Sequence, residues 1–478
     1  MKKFYVTTSI PYVNAPPHIG FALELVQADV LARYHRSLKE DVFFLTGTDE
    51  HGAKIVKAAK DSGKSLDGFI NETSDRFRFL TRALNISNND FIRTTDTIRH
   101  WPAVKKIWLE LKGKGDIYKK KYQGLYCIGC EAFYLEKDLI SGKCPVHNTK
   151  LDVIDEENYF FKLSKYSRKI RKMIERNKIR IIPESRKNEV INFIDEGIED
   201  ISFSRSKERY WGFEVPDDKT QTMYVWVDAL PNYISAIGFR ENYKKFKKLW
   251  PADVHLIGKD IWKFHALIWP GILLSLGLDL PKTIFVHGFI TVGGQKMSKS
   301  LGNVIDPFVL IEKYGADPLR YYLLREVPPT EDGDFTYEKF NERYNSDLAK
   351  GLGNLVSRIR AMADDIGFKK TKDKILESKI KEVKKNYKKA LNDFKFNEAL
   401  RLIWELISLS DKYIEEEKPW NRKDNSVLVL GSLLSVLDNI AELIAPFLPK
   451  TSEMILKEIE RDKNSFKNKR GKALFPRI

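Results

Sequence analysis

The stretch FYVTTSIPYVNAPPHIGFALELVQADVLARY, Phe4 to Tyr34, contains the features of a strand, a turn and a helix in that order. Phe4 to Ile10 is rich in β-branched and aromatic residues, which favours a β-strand. The segment PYVNAPP that follows has three prolines and an asparagine, which favour a turn. From Phe21 to about Tyr34 apolar residues recur at helical spacing, so this segment is predicted to be a helix.

Further along the chain the same alternation returns. VFFL, Val42 to Leu45, is a short and fully apolar strand that ends in the polar turn TGTDEHG. The segments VHLIGKD (254–260) and IFVHGFIT (284–291) have similar strand character, and we interpret MYVWVDAL (223–230) as another apolar strand. Buried apolar strands that alternate with amphipathic helices indicate a parallel α/β sheet. Ligands of such sheets bind beyond the carboxyl ends of the strands.

The composition and periodicity of the sequence change at two places, which divide the chain. Between about Lys112 and Thr222 the sequence is lysine-rich and irregular, which predicts a domain inserted into the sheet. From Asn345 onward nearly every segment has helical periodicity, which predicts a separate helix bundle. The fold class is therefore α/β, with a parallel sheet split by an insertion and followed by an α-helical bundle.

The composition limits the classes of function. The 478 residues contain 82 Lys and Arg against 66 Asp and Glu, a net charge of +16. Such a charge suits a phosphate-rich partner, although a lysine-favouring genome and a solvated surface explain it equally well. The N-terminal segment reads as a strand rather than a signal peptide. We find no apolar run of about 18 residues, so we expect no membrane span and a cytoplasmic protein.

The three cysteines form one cluster with a histidine. Cys127 and Cys130 are separated by two residues, and Cys144 and His147, thirteen residues further on, have the same spacing. Two such pairs supply four ligands for tetrahedral Zn²⁺ and leave no position for water, so the metal is predicted to be structural. The alternative is three unrelated buried thiols near a histidine.

Two other segments have the residues to bind phosphate. GGQKMSKSLGN, Gly293 to Asn303, carries Lys296 and Lys299 beside two glycines, which suits a mobile cationic loop that closes on polyphosphate. His18 lies where the first helix begins, so it could donate to a phosphate beside the backbone N–H groups of that helix. Taken separately, the loop could be solvated surface and His18 an ordinary capping or packing residue.

Together, PHIG (17–20) and KMSKS (296–300) resemble the two signature sequences of class I aminoacyl-tRNA synthetases, in the expected order. The segments TTSIPYVNAPPHIG, TGTDEHG, YVWVDAL, LIGKDIWKFHALIWP and EKPW look like methionyl-tRNA synthetase. The correspondence runs from about Phe4 to the closing LFPRI, and the cysteine spacing is similar to the bacterial branch with a single zinc knuckle.

The resemblance implies a methionine–tRNA ligase with a Rossmann-like catalytic sheet. Such an enzyme joins L-methionine to ATP, releases pyrophosphate, and transfers the methionyl group to tRNA(Met) for translation initiation and elongation. Its implied cofactors are one structural Zn²⁺ and the Mg²⁺ that accompanies ATP. The matching positions give catalytic roles to His18, Lys296 and Lys299. The implied ligands of ATP are His18, Gly20, Glu24, Gly258, Asp260, Lys296 and Lys299.

Other positions match the amino-acid and tRNA sites of that family. The implied methionine contacts are Ile10, Tyr12, Asp49, Trp226, Ala229, Tyr233, Ile261 and His265. Asp49 offers a carboxylate to the substrate ammonium, and an aromatic and aliphatic wall suits a polarizable thioether. The CAU anticodon would be read by Asn354, Arg358 and Trp420. Without the family, plain packing would be the first explanation for Trp226 and Tyr233.

The expected domain division follows the same resemblance. It comprises a catalytic domain in two halves (1–115 and 223–290), an inserted domain (116–222) with the zinc knuckle at about 126–148, a linker domain with the KMSKS loop (291–345) and an anticodon-binding domain (346–478). The insertion is shorter than the editing domains of the leucyl, isoleucyl and valyl relatives. The chain ends soon after the bundle, so a monomer is expected.

One position departs from the family, because Phe21 stands where a second histidine is usual. We therefore expect amino-acid activation to depend more strongly on His18 and the lysine loop. Two alternatives remain at this point: another class I ligase, such as a cysteinyl or leucyl-group enzyme, or a non-catalytic tRNA-binding paralogue.

Overall fold

The structure is a computed structural model. It describes residues 2–127, 132–134, 136, 139–145, 148–208, 211–297, 302–363, 367–369, 371, 373–421, 426–461, 465–468 and 473–478. The chain forms two compact units. Unit 1 comprises residues 1–17, 39–81 and 88–286, and unit 2 comprises residues 18–38, 82–87 and 287–478.

Unit 1 is built on a six-stranded sheet. Its strands lie in the spatial order Asp90–Arg93, Asp41–Thr48, Lys3–Thr8, Val254–Gly258, Thr283–His287 and Arg180–Ile182. Lys3–Thr8 pairs in parallel with Asp41–Thr48 on one side and with Val254–Gly258 on the other, so sequence-distant segments meet at the centre of the sheet. The predicted Rossmann-like parallel sheet is confirmed. The edge strand Arg180–Ile182 comes from within the range predicted as an insertion, and it pairs in parallel with Thr283–His287.

The predicted strand MYVWVDAL is wrong. The strand Asp218–Met223 ends as this segment begins, and Val225–Ala229 is a short helix. Tyr224 caps this helix in an extended conformation, and its carbonyl accepts a hydrogen bond from Val227 N at 2.8 Å. Because most of the segment is buried, its apolar run has no periodicity that separates a strand from a helix.

Two antiparallel sheets complete unit 1. One has the strand order Ala132–Tyr134, Ile117–Cys127, Asp152–Phe161 and Ile201–Ser202, and the other has the order Glu214–Val215, Asp218–Met223 and Ser204–Ser206. The helices are Ala53–Asp61, Leu66–Ala83, His100–Gly113, Ser167–Glu175, Glu184–Asp195, Val225–Ala229, Asn232–Ser235, Tyr243–Leu249 and Trp269–Leu276, with a 3₁₀ turn at Leu163–Tyr166 and a π-helical turn at Phe264–Ile268.

Unit 2 is mainly helical, as predicted from Asn345 onward. Its helices are Ile19–Ser37, Pro307–Tyr314, Ala316–Arg325, Tyr337–Arg343, Asn354–Met362, Lys374–Asn392, Phe396–Glu417, Ser426–Ile444 and Pro449–Glu458, with a π-helical segment at Tyr344–Gly353 and a 3₁₀ turn at Pro419–Asn421. Two small sheets were not predicted. They have the strand orders Gln295–Lys296, Ile290–Val292, Gly333–Phe335 and Gly367–Lys369, Ser465–Asn468, Ile459–Arg461.

Among the described helices, Ser426–Ile444 is long and apolar enough to cross a membrane by length and composition, with a mean hydropathy of 1.9. The expectation that the sequence holds no such segment was wrong, because its scattered serines and Asp438 interrupt the apolar residues without offsetting them. Within unit 2, 67% of the most apolar 18-residue stretch of this helix is buried, as expected for a helix in the core of a bundle.

A buried ion pair and its hydrogen bonds join four segments of unit 2. Asp29 of the helix Ile19–Ser37 and Arg320 of the helix Ala316–Arg325 are both fully buried, and their charged groups lie 2.8 Å apart. The Arg320 guanidinium also donates to the carbonyls of Leu84, Pro446 and Phe447, at 3.2, 2.8 and 2.7 Å. Every buried charge in this cluster therefore has several partners.

Candidate active site

In unit 2, His18 caps the helix Ile19–Ser37. Its backbone is extended, and its ring Nδ1 accepts a hydrogen bond from Gly20 N at 3.0 Å. A β-carbon at position 20 would lie 2.8 Å from His18 Cε1, so only glycine allows the ring to fold back onto the helix start. Because Nδ1 accepts this bond, the proton of the neutral ring is on Nε2.

The basic loop of unit 2 reaches the same helix start. Ile19 N donates to the carbonyl of Ile305 at 3.1 Å, and a β-carbon built on Gly20 would lie 3.7 Å from Met297 Cε. The two motifs, which are about 280 residues apart in the chain, thus lie beside each other. Exposed Lys296 is the last residue of the strand Gln295–Lys296. Lys299 lies outside the described residues.

Gly293 and Gly294 form a tight turn before Lys296. Their φ angles of 59° and 75° are both in the left-handed region, which suits a two-residue hairpin turn between Ile290–Val292 and Gln295–Lys296. Gly294 N donates to Asp334 Oδ1 at 2.8 Å. The sequence suggested that these glycines make the loop mobile, whereas in the structure their left-handed conformation makes the turn.

Further along the same helix, Glu24 and Phe21 are buried, with 4% and 6% exposure. Glu24 Oε2 lies 2.9 Å from His287 Nε2, and His287 Nδ1 lies 2.7 Å from the carbonyl of Gly288. The sequence did not predict this pair, since His287 is in a strand that reads as apolar. An ATP contact by Glu24 would have to coexist with the bond to His287.

In unit 1, an aromatic cluster brings together several predicted methionine contacts. Trp226 stacks on Phe264 with 3.8 Å between ring centroids, and its edge faces Tyr12 at 6.3 Å and His265 at 6.1 Å. Such a wall offers polarizable surface to an apolar or thioether side chain. Phe264, in the π-helical turn, was not predicted as a site residue.

The polar part of this cluster is a chain of hydrogen bonds. Buried His265 has Nδ1 3.0 Å from the carbonyl of Ile261, so Nδ1–H donates there and Nε2 accepts from Tyr233 OH at 2.7 Å. The Tyr233 carbonyl in turn accepts from Tyr5 OH at 2.7 Å. Burial, together with the neighbouring His265, lowers the pKa of His255 well below its ordinary value. His255, which lies beside Tyr233 and His265, therefore favours its neutral form.

Asp49 is held next to Tyr12 by the backbone. Asp49 N donates to the carbonyl of Pro11 at 2.9 Å, and Val13 N donates to the carbonyl of Asp49 at 3.1 Å. The Asp49 side chain is 2% exposed. The structure thus brings one carboxylate to the aromatic cluster, as a site for an ammonium group would require.

Four further predicted ligands belong to unit 1: Ile10, Ala229, Gly258 and Asp260. Ile10 is partly buried against the core, and Ala229 is buried. Gly258 ends the strand Val254–Gly258, and exposed Asp260 follows it in the loop before Ile261. Gly258 and Asp260 are therefore at the carboxyl end of a parallel strand, where ligands of such sheets bind.

Sequence reasoning missed a buried histidine–aspartate–histidine cluster in unit 1. Asp228 Oδ2 accepts from His51 Nδ1, and Asp228 Oδ1 accepts from His100 Nε2 at 3.0 Å. Burial alone would raise the pKa of Asp228, but the charge on His51 and hydrogen bonds from both rings hold it at about 2. An acidic residue inside the apolar run VWVDAL was the available signal, because a buried carboxylate needs partners.

Only part of the predicted zinc site can be located. Cys127 and Cys144 are each 1% exposed. The carbonyl of Cys144 accepts a hydrogen bond from Asn148 N at 2.8 Å. Cys130 and His147 lie outside the described residues. Within the described ranges, no group of three or more His, Cys, Asp or Glu side chains is arranged to hold a metal ion.

The predicted anticodon residues are all in unit 2. Asn354 begins the helix Asn354–Met362 and is exposed, and Trp420 is 47% exposed. Arg358 is paired with two carboxylates, 3.2 Å from Asp411 and 2.6 Å from Glu415. Burial raises the pKa of Asp411, and the charge on Arg358 opposes this. An incoming base would therefore have to compete with these ion pairs for Arg358.

Comparison with known proteins points in one direction. The sequence pattern described as "tRNA synthetases class I (M)" matches residues 4–152 and 136–360, and that described as "Anticodon-binding domain of tRNA ligase" matches residues 373–473. The methionine–tRNA ligase of Caldanaerobacter subterraneus subsp. tengcongensis is 44% identical, over 100% of this chain and 79% of the relative. That of Thermotoga maritima is 43% identical, over 96% and 75%. Mycobacterium tuberculosis methionyl-tRNA synthetase in complex with methionyl-adenylate superposes with a TM-score of 0.95 and 37% identity, with 100% of both chains covered.

Proposed function

The chain belongs to the methionyl-tRNA synthetases, which are class I aminoacyl-tRNA synthetases, and from this premise we propose how its residues carry out methionine–tRNA ligation. The family membership confirms the resemblance seen in the sequence and sets aside the cysteinyl and leucyl alternatives. One observation carries the assignment of the ATP site: the start of the helix Ile19–Ser37 lies beside Met297 of the basic loop within unit 2.

Activation requires little covalent chemistry from the protein. The methionine carboxylate attacks the α-phosphorus of ATP in line, and pyrophosphate leaves, so the enzyme acts by positioning and by stabilising developing charge. His18 Nε2–H donates to a phosphate oxygen, and exposed Lys296 approaches the leaving pyrophosphate together with Lys299. Gly20 permits the ring geometry that orients His18. A bound Mg²⁺ adds positive charge at the phosphates.

The adenosine of ATP is held by residues at the strand end. Asp260, exposed after the strand Val254–Gly258, accepts from the ribose hydroxyls, while Gly258 lets the nucleotide approach the backbone. Glu24 is a further ATP ligand, and His287 orients its carboxylate. Each of these roles is assigned from the chemistry and placement of the side chain.

Methionine is bound by the aromatic cluster of unit 1. Asp49 pairs with the substrate ammonium, and Trp226, Tyr12 and Ala229 contact the thioether side chain. Tyr233 and His265 form a hydrogen-bonded polar edge of the pocket. The remaining apolar contacts are Ile10 and Ile261. Replacing Asp49 with Asn removes the charge at constant size, so it raises the KM for methionine more than the KM for ATP.

The helical part of unit 2 binds the anticodon of tRNA(Met). Exposed Trp420 stacks on an unpaired base, and Asn354 offers its amide to a base edge. Arg358 also binds a base of the anticodon, and to do so it gives up its ion pair with Asp411 or with Glu415. We expect Trp420→Ala to raise the KM for tRNA and leave methionine activation unchanged, since the activation step consumes only methionine and ATP.

Zinc is held by Cys127, Cys130, Cys144 and His147. The two described cysteines fit this proposal, because both are buried, as ligands of a structural zinc are. Zinc would stabilise this knuckle and supply no catalytic position. Elemental analysis of the purified protein tests the proposal: one zinc per chain in the wild type and less in Cys144→Ser supports it, and a zinc-free wild type contradicts it.

The proposed role of His18 has a direct test. His18→Ala lowers the rate of methionine-dependent ATP–pyrophosphate exchange by about 100-fold or more, the size of effect seen when one preorganised donor is removed. Phe21 stands nearby and offers no second imidazole. His35→Ala, near the end of the same helix, is the matched control and leaves exchange unchanged. A normal exchange rate in His18→Ala refutes the phosphate role.

The five-part domain division, the cytoplasmic setting and the monomeric state remain predictions of the same proposal. Light scattering tests the last of these, and a stable dimer would contradict it.

A further inference from the structure

Three buried side chains of unit 1 form a cluster that the proposed reaction does not use. His51, Asp228 and His100 are 2%, 1% and 0% exposed. They come from three different segments: the turn after the strand Asp41–Thr48, the helix Val225–Ala229 and the helix His100–Gly113. A buried charge is unfavourable unless it is paired, so a carboxylate at this place needs a reason.

Each polar atom of Asp228 is engaged. Oδ2 accepts from His51 Nδ1, and Oδ1 accepts from His100 Nε2 at 3.0 Å, while the backbone carbonyl of Asp228 also lies 2.9 Å from His100 Nε2. The other nitrogen of His100 lies 2.9 Å from Ser235 Oγ. The cluster therefore connects four segments by directional bonds, which fix geometry more tightly than apolar packing does.

His51, Asp228 and Ser235, the partner of His100, each lie within two residues of a proposed methionine contact. His51 follows Asp49 by two residues, and His51 N donates weakly to Asp49 Oδ1 at 3.4 Å. Asp228 lies between Trp226 and Ala229 in one short helix. Ser235 follows Tyr233 by two residues in the helix Asn232–Ser235. The bonded cluster thus ties the segment that carries the carboxylate to the segments that carry the aromatic wall.

We propose that His51, Asp228 and His100 are positioning residues for the amino-acid substrate, which hold Asp49 and the Trp226–Ala229 helix at the spacing that methionine requires. This inference rests on the proposed methionine contacts. None of the three touches the substrate. The cluster sets the distance between the group that binds the ammonium and the wall that contacts the thioether, so its loss weakens methionine binding selectively.

The decisive variant is Asp228→Asn, which keeps the size of the side chain. The new amide can still accept from one histidine, but its NH₂ group cannot accept from the other. We expect the KM for methionine in ATP–pyrophosphate exchange to rise about tenfold, equivalent to ~1.4 kcal/mol. The KM for ATP is expected to stay within about twofold, because the ATP ligands are on other segments. A merely structural role would not produce this split.

Asp116→Asn is the matched control. Asp116 is also a 1% exposed carboxylate of unit 1, and it accepts from Lys165, Ser275 and Tyr166 at 2.6, 2.6 and 2.5 Å. None of these residues lies within two positions of a proposed methionine contact. We expect this variant to lower the melting temperature while both KM values stay within about twofold of wild type.

The outcomes separate this inference from the proposed function. If Asp49→Asn raises the KM for methionine and Asp228→Asn leaves it within twofold, or raises both KM values equally, the positioning role is refuted while the pocket assignment stands. If Asp49→Asn has no effect on that KM, the pocket assignment itself fails, and the positioning role with it. Should Asp228→Asn not fold, His100→Gln and His51→Gln apply the same criteria, since each disrupts one side of the cluster.

Discussion

The buried Asp29–Arg320 pair leads to a quantitative prediction for unit 2. Arg320→Met removes a guanidinium that bonds Asp29 at 2.8 Å and donates to three backbone carbonyls. The variant leaves Asp29 with Arg33 and Ser87 as partners, but without its fully buried counter-ion. Removing one member of a buried pair typically destabilises by about 3–5 kcal/mol, so we expect a loss in that range.

The assay is urea unfolding followed by far-ultraviolet circular dichroism. Arg343→Met is the matched control, because Arg343 is also paired with two carboxylates of unit 2, Glu326 at 2.8 Å and Asp347 at 3.3 Å, but is 34% exposed. Exposed pairs contribute about 0–1 kcal/mol, so this variant should lose no more than that. Equal losses in the two variants would refute the argument that burial makes the Arg320 pair critical.

Three further predictions concern Asp29, Tyr233 and Lys296. Burial alone would raise the pKa of Asp29, but the charges on Arg320 and Arg33 and the bonds from Ser87 lower it. The Asp29 carboxylate therefore contributes its full stabilisation above the unfolded-state pKa of about 4, and this stabilisation is lost as the pH falls through the lowered native pKa. Asp29→Asn should flatten the acid limb of a curve of folding stability against pH. An unchanged acid limb would contradict this. Tyr233→Phe leaves His265 Nε2 without its hydroxyl donor, at a cost of about 1–3 kcal/mol. The KM for methionine should therefore rise at least fivefold, while the KM for ATP should not. Equal changes in both KM values would argue against the assignment of Tyr233 and His265 to the methionine pocket. Lys296→Ala should slow ATP–pyrophosphate exchange severely. Because the side chain is exposed, folding stability should change by no more than about 0.5 kcal/mol. A large loss of stability would show that Lys296 has a structural role.

The sequence predicted the elements whose local pattern is unambiguous. Phe4 to Ile10 and Val42 to Leu45 are β-branched or aromatic runs bounded by turn residues. Strands of the parallel sheet are present at both places, at Lys3–Thr8, which ends two residues earlier than predicted, and at Asp41–Thr48. The helix from Phe21 begins slightly earlier, at Ile19, because His18 caps it. Where an apolar run is buried on several sides, as in Val225–Ala229, periodicity gives no answer and the strand prediction failed.

Long-range partners could not be predicted from the sequence. Arg320 lies about 290 residues from Asp29, and neither has a local pattern that identifies the other. Both stand among apolar neighbours, which shows only that each needs a buried partner. The meeting of His18–Gly20 with Met297 was expected from the family resemblance alone, and the backbone contact of Ile19 with Ile305 supplies its physical basis.

The most direct test of the central claim is ATP–pyrophosphate exchange with the purified wild-type chain and each of the standard amino acids in turn. Our account predicts exchange that depends on methionine, and subsequent methionylation of tRNA(Met). Exchange that depends instead on leucine or cysteine, or no exchange with any amino acid, would contradict it.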